Sequence, residues 1–281
     1  MSQAEELHTE ATTPANSHSE SHEITLFAEP IINIGNFEIN NSFISSWVVV
    51  LFVIILVMIL KSKLSKIPRG IQNIFEMVLE GALNMADSVT GDRNKSMKLF
   101  PVAFGLFIFI LLNNWLGLLP GVGTIGFYEN GETFVPFLRG ATADLNTTFV
   151  LAIFSIIFTH VMGIIAIGAW KHLNKFIGIK LFLEIPKKIR KEPTIILINP
   201  IKAFVGLIEI VGEIAKVASL AFRLFGNIFA GEVLLASMMA LMFVIVPIPF
   251  MFLEIIVGLI QALIFAMLVL VFGTISMQDS H

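Results

Sequence analysis

The chain has 281 residues; 56% are apolar, 14% are charged, and the mean hydropathy is +0.87. Soluble chains carry roughly 25% charged residues, so this one falls in the membrane class before any pattern is read. A net charge of −3 with no basic domain argues against nucleic acid as a partner, and a cysteine count of 0 excludes disulfides, iron–sulfur clusters, thiolate metal sites and cysteine nucleophiles.

Residues 1–29 stand apart. They carry six acids (Glu5, Glu6, Glu10, Glu20, Glu23, Glu29), three histidines (His8, His18, His22) and no Lys or Arg. A secretory leader needs a basic start and then an apolar run, and neither is present. The stretch is expected to be a retained, solvated polar tail rather than a metal site. The remainder, 30–281, holds 18 bases against 15 acids, a net +3, and is expected to be the membrane domain.

A bilayer core of ~30 Å takes about 20 helical residues. The first long apolar run predicts a span over 43–60. A second follows over 99–119, ended by Pro120-Gly121, and a third over 145–170, ended by Lys171. Trp47 and Trp115 suit interfacial anchoring. Between the first two spans, Ile71, Ile74, Phe75, Val78, Leu79 and Leu83 recur at helical spacing behind Pro68. That pattern predicts an amphipathic helix at the interface over Ile67 to Asp87.

Basic residues give the expected orientation. Lys61, Lys63, Lys66, Arg69, Arg93, Lys95 and Lys98 lie between spans one and two, and Lys171, Lys175, Lys180, Lys187, Lys188, Arg190 and Lys191 follow span three. The stretch from Pro120 to Asp144 has only Arg139. The positive-inside rule puts both basic loops in the cytoplasm. The acidic tail and the Pro120–Asp144 loop are then outside.

The last third is unusual. Pro200 and Pro247 enclose 46 residues without a proline. Val205 to Val246 as one helix would measure about 63 Å, twice the hydrocarbon thickness. Either an element over 203–246 is one helix tilted about 60° from the normal, or it breaks near Gly226 or Gly231 into two spans; ordinary tilts are ~20°. Val246-Pro247-Ile248-Pro249 makes a tight break, and a final span is expected over 250–277.

This third carries Glu209, Glu213, Lys216, Arg223, Glu232 and Glu254, with Asn227 and Gln261. A charge in mid-bilayer costs at least ~2.5–3.5 kcal/mol, so it marks an ion pathway or a partner site. At 100° per residue, Glu209, Lys216, Ser219 and Asn227 fall within about 40° of Arg223. Gly212, Gly226 and Ala230 lie on or near that stripe, and a face of small residues suits close approach of another helix. Glu232 points the other way. Glu254 and Gln261 share one face of the last helix. A purely structural reading would pair Arg223 with Glu232 or Glu254, but the first pairing is opposed by the helix geometry.

The segment Ser219-Leu220-Ala221-Phe222-Arg223-Leu224-Phe225-Gly226-Asn227-Ile228-Phe229-Ala230-Gly231-Glu232 resembles the signature of subunit a of the F-type ATP synthase. Asn199-Pro200-Ile201 resembles the family's approach to that helix, and Gln261-Ala262-Leu263-Ile264-Phe265 its last helix. The runs Asn113 to Gly121 and Ala143 to Thr148 are similar to its second and third spans. The likeness extends from about Phe27 to the C-terminus and looks bacterial.

That resemblance implies an all-α membrane protein of about five membrane helices plus an interfacial amphipathic helix. The last two helices would be long and steeply tilted, with the N-terminus outside and the C-terminus cytoplasmic. It implies a proton-translocating stator subunit in the membrane sector of the synthase, in a bacterial inner membrane. Its partners would be the c-subunit ring, the b-subunit stalk, the rest of the complex and the lipid bilayer. The essential arginine maps to Arg223. Glu232, Glu254, Gln261 and Asn227 map to an outer half-channel, and Ser219, Lys216 and Glu209 to the inner side. No cofactor, metal or catalysis by the chain alone is expected. The sequence departs from some members in having Gly117 where they carry an acid, Glu254 where others have histidine, and Phe272 where some have tyrosine.

Elementary chemistry agrees with this role. Arginine keeps its proton at any working pH, so a carboxylate passing it is favoured as the anion. The rival class, an ion-coupled secondary transporter with Arg223 clamping a substrate carboxylate, usually shows two related halves with broken helices; the sequence has no internal repeat. A b-type cytochrome needs paired axial histidines, and His160 is the only histidine within a predicted span. His160 is expected to be a hydrogen-bonded packing residue, with gating of protons near the inner surface as the alternative.

Overall fold

A computed structural model describes residues 28–34, 37–62, 70–119, 122, 125–129, 133–172, 195–242 and 245–278. Most of the acidic tail with its three histidines, Pro120-Gly121, and most of the basic loop after span three lie outside the described residues.

Strands β1 (Pro30–Ile34) and β2 (Phe37–Asn40) form an antiparallel hairpin. It leads into helix α1 (Asn41–Ser62), followed by α2 (Ile71–Thr90) and α3 (Arg93–Leu118). A second hairpin, β3 (Gly126–Glu129) with β4 (Thr133–Pro136), and a 3-10 turn at Ala141–Ala143 come next. Then follow α4 (Leu145–Ile167), α5 (Ile195–Leu241) and α6 (Pro247–Ser276). Helices α1, α3, α4, α5 and α6 are each long and apolar enough to cross a membrane. The architecture is all-α, with two short hairpins that sequence periodicity does not reveal.

Local chemistry sets the ends. Asp92 caps α3 by accepting from the Asn94 N–H at 2.9 Å, and Asp144 caps α4 by accepting from the Asn146 N–H at 3.2 Å. Gly91, at φ 67°, ends α2 in the left-handed conformation that glycine adopts without strain. The predicted third span ran to Trp170, but α4 stops at Ile167 because Gly168 turns to φ 91°. Helix α5 begins at Ile195 rather than 203 and ends at Leu241 rather than 246; α6 begins at Pro247 rather than 250. Pro suits the first turn of a helix, where its missing N–H costs nothing, so α6 takes in both prolines of the turn. There is no break at Gly226 or Gly231: α5 is one helix of 47 residues, about 70 Å long.

Helices α3, α4, α5 and α6 pack around one core. Ile110, Leu220, Leu224, Phe265 and Val269 are fully buried, and Ala152, Ala221 and Ala262 let the backbones approach. In lipid, such packing and interhelical hydrogen bonds replace the hydrophobic drive between helices. Asn114 supplies those bonds, donating to the Gly258 carbonyl at 3.0 Å and accepting from Thr142 Oγ1 at 2.7 Å. Trp115 donates to the Ile255 carbonyl at 3.1 Å, so it also ties α3 to α6. Helix α1 stays at the periphery, with Leu51, Phe52, Ile54, Ile55 and Val57 exposed.

Candidate functional site

Helix α5 buries one side and shows the other. Leu220, Ala221, Leu224 and Ile228 face the core, while Ser219, Arg223, Gly226 and Ala230 are exposed. Lys216, Asn227 and Glu209 are half-buried at the margins of the exposed stripe. The apolar residues recur at spacings of three and four, and the small and polar ones occupy the remaining positions. Arg223 donates through Nη2 to Ser219 Oγ, one turn away, at 3.2 Å. Among the described residues no carboxylate lies within ion-pair distance of Arg223. The pairings of the purely structural reading, Arg223 with Glu232 or Glu254, are therefore absent from the described residues.

Glu232 is held instead by Arg139, whose Nη2 donates to Oε2 at 2.9 Å and whose Nε donates to Oε1 at 3.4 Å. This two-pronged contact matches the fork of the guanidinium to a carboxylate. The side chain of Arg139 is only 8% exposed. Its backbone N–H donates to Ser45 Oγ at 3.1 Å, and Asn41 Nδ2 donates to the Pro136 carbonyl at 3.4 Å. The start of α1, the end of β4 and the middle of α5 thus meet in one polar cluster.

Glu254 is buried on α6 with its carboxyl seated on Gly231, where a Cβ would collide with it. Gly231 lies eight residues beyond Arg223, about 12 Å along the axis, and directly precedes Glu232. The two predicted relay acids therefore flank one point of α5. Glu254 Oε1 and, seven residues on, Gln261 Nε2 are buried with no hydrogen-bond partner among the described residues. A buried polar atom left unpaired costs about 1–3 kcal/mol, so neither position is explained by packing alone. Gly117 meets the Gly140 backbone: a Cβ there would stand 3.3 Å from the Gly140 Cα. The glycine that replaces an acid of some members is thus filled by close backbone packing.

On the other side of Arg223, Lys216 does not point along the stripe alone. It bonds Glu213 Oε1 at 2.7 Å and lies 5.1 Å from the Phe272 ring centroid. Glu213 Oε2 is 3.5 Å from His160 Nε2, and His160 Nδ1 is 3.2 Å from His172 Nε2. His160 is hydrogen-bonded, as expected, but its partners were not foreseen. Among the described residues no group of three acidic or histidine side chains forms a metal site.

Sequence reasoning missed Arg139, His172 and the seat at Gly231 as site residues, and it counted Glu213 without giving it a role. Arg139 had one signal, as the lone base in an otherwise base-free stretch. His172 had none, since it falls beyond the predicted span.

The family model described as ATP synthase A chain matches residues 43–274. The chain is 34% identical over 250 residues to ATP synthase subunit a of Syntrophobacter fumaroxidans, covering 89% of each chain. It is 32% identical over 241 residues to that of Trichlorobacter lovleyi, covering 86% of this chain and 89% of the relative. It is 30% identical over 236 residues to that of Geobacter sulfurreducens, covering 84% and 87%. With five helices able to cross a membrane and the arginine signature on the longest of them, this multi-pass membrane chain belongs to the ATP synthase A chain family.

Proposed function

We propose that the chain is the stator subunit that passes protons to and from a rotating ring of membrane carboxylates, with Arg223 as the fixed charge facing that ring. The observation that carries this reading is Arg223 itself: exposed on a small-residue face of a membrane helix, bonded to Ser219 and to no carboxylate among the described residues. An arginine in lipid needs an anion, and a ring carboxylate that has lost its proton is one. As each carboxylate passes, the guanidinium favours its anionic form and releases its proton to one side. The same charge repels free protons and keeps the two sides from short-circuiting.

Glu232, Glu254, Gln261 and Asn227 then line the outer half-channel, and Ser219, Lys216 and Glu209 the inner one. The drive is about 2.3 kcal/mol per charge per 100 mV of membrane potential, plus the proton gradient. The reading implies a c-ring and a b-subunit stalk as neighbours, a steeply tilted α5, an interfacial α2 and a cytoplasmic C-terminus.

The test is Arg223→Ala in the assembled complex, in inverted membrane vesicles. ATP-driven proton pumping and proton-driven ATP synthesis are both expected to vanish. Arg223→Lys is expected to fail too, because an ammonium sheds its proton when desolvated and lacks the planar fork. Normal coupled pumping by either variant would overturn the role given to Arg223.

A further inference from the structure

Four side chains form a continuous line on one side of Arg223, and the function above uses only the last of them. His172 Nε2 stands 3.2 Å from His160 Nδ1; His160 Nε2 stands 3.5 Å from Glu213 Oε2; Glu213 Oε1 bonds Lys216 Nζ at 2.7 Å. They come from three places: the turn after Gly168, helix α4 and helix α5. The side chain of His172 is buried, and those of His160 and Glu213 are 27% and 18% exposed. The groups run end to end, with His160 in the middle, instead of converging on one point.

Packing fixes the level of this line. Going along α4 from Phe149, which stacks edge-on against Phe222, to His160, which meets Glu213, α5 is read backwards. His160 therefore lies about ten residues from the Arg223 level, towards the end of α4 that the basic loop follows, roughly 15 Å along α5. Gly163 gives His172 its room: a Cβ there would stand 2.7 Å from both the His172 ring and the Ser276 carbonyl. The charged and titratable groups that these contacts bring to His160 are His172, Glu213 and, behind Glu213, Lys216. Helix α6 adds the Phe272 ring beside Lys216 and the Ser276 carbonyl near His172.

The geometry points to a side-chain proton relay, His172–His160–Glu213, that serves the inner half-channel and ends at Lys216 beside the ring-facing stripe. Imidazole is suited to the middle position because its two nitrogens sit on opposite edges of the ring, one able to accept while the other donates. In the inward-to-ring direction, His172 takes up a proton at Nδ1 from the inner side as its Nε2 N–H bond breaks and an N–H bond forms at His160 Nδ1. The N–H bond at His160 Nε2 then breaks as an O–H bond forms on Glu213. Glu213 passes that proton on at the edge of the stripe and returns to the carboxylate held by Lys216. One proton enters at His172 and one leaves from Glu213, and each group is as it began once both His172 and His160 revert to their starting tautomers. The inference rests on the ring-facing reading of Arg223.

The test uses His160→Ala in the assembled complex, with passive proton conduction through the membrane sector as the readout. Conduction is expected to fall about ten-fold or more, within the range that a positioned acid–base group supplies. Added imidazole is expected to restore it, whereas N-methylimidazole, of similar size but with one nitrogen blocked, is not. Native conduction in His160→Ala, or equal rescue by both compounds, would overturn the relay and leave a packing role. If His160→Ala does not assemble, Glu213→Gln cuts the same line at its other end and is expected to slow conduction while keeping the bond to Lys216. Native conduction there, or failure of both variants to assemble, would make the line a structural brace. Arg223→Ala is measured alongside: if it abolishes coupling while the relay variants conduct normally, only the relay falls; if it too couples normally, the ring-facing reading falls with it.

Discussion

Arg139 and Glu232 lie 93 positions apart in the chain, yet they form the best-shaped ion pair among the described residues. Removing one member of a buried pair strands the other, at a cost of about 3–5 kcal/mol; Glu232 is a third exposed, which places this pair at the low end. Arg139→Gln is therefore expected to lower the Tm of the detergent-purified complex and to slow proton flux. Adding Glu232→Gln should recover most of the stability and none of the flux. A double variant no more stable than Arg139→Gln would show that the pair is not what holds this cluster. Gly231 gives a sharper probe of Glu254. Its Cα carries no side chain where the carboxyl rests, so Gly231→Ala must push that carboxyl off its seat. Slower proton flux with normal assembly is expected, partly recovered by the shorter Glu254→Asp. Unchanged flux in Gly231→Ala would remove Glu254 from the pathway. At this scale the sequence was legible wherever a charge sat in an apolar run, as Arg223, Glu232 and Glu254 do. Arg139 was not, because its partner is set by where β4 and the 3-10 turn leave the chain, and no local period encodes that.

Helix α5 shows how far periodicity reaches. Its two sides were readable because Leu220, Leu224 and Ile228 recur one turn apart while Ser219, Arg223, Gly226 and Ala230 fill the opposite arc. Its continuity was not readable from local propensity, since glycine inside a helix costs about 1 kcal/mol and two lie within this signature. Helix packing outweighs that cost: Gly231 receives the Glu254 carboxyl, and Gly226 keeps the exposed face flat. The end of α4 was misjudged for a related reason, because the apolar run continues to Trp170 while a single backbone angle at Gly168 ends the helix. If the exposed arc is the ring-facing surface, cysteines placed at Ser219, Gly226 and Ala230 should crosslink to cysteines on the ring's outer helix. The 0 native cysteines make the background clean. Cysteines at Leu220 and Ile228, on the buried arc, should not react. Equal crosslinking from both arcs would show that α5 does not present this face to the ring.

The molecule as a whole has two polar ends, and packing alone sorts the chain between them. At one end Met277, just past α6, shares a cluster with Ala86 of α2 and Leu99 at the start of α3, and Ser276 lies against Gly163 near the end of α4. At the other end the start of α1 meets Arg139 and, through it, Glu232. The first end is where the basic residues gather: Lys61 ends α1, Arg93, Lys95 and Lys98 open α3, and Lys171 follows α4. The positive-inside rule is the ground for proposing it as the cytoplasmic end; the cluster around Met277 puts the C-terminal side of α6 at that same end. That conclusion does not depend on charge in the last residues, which have none of the bases the rule counts. The proposed orientation also uses the unbroken α5, since a break at Gly226 or Gly231 would add a crossing and send α6 the other way. Cysteines at Lys61 and Gln278 are therefore expected to react with a membrane-impermeant reagent only from the cytoplasmic face, in inverted vesicles. A cysteine at Ile125, which is 68% exposed beside the second hairpin, should react only from the opposite face, in intact cells or spheroplasts. Labelling of Gln278→Cys from the outer face would mean that α5 crosses twice or that α6 runs the other way. The proposed outer placement of Glu232, Glu254 and Arg139, and the proposed inner placement of the histidine line, would then both be reversed or lost.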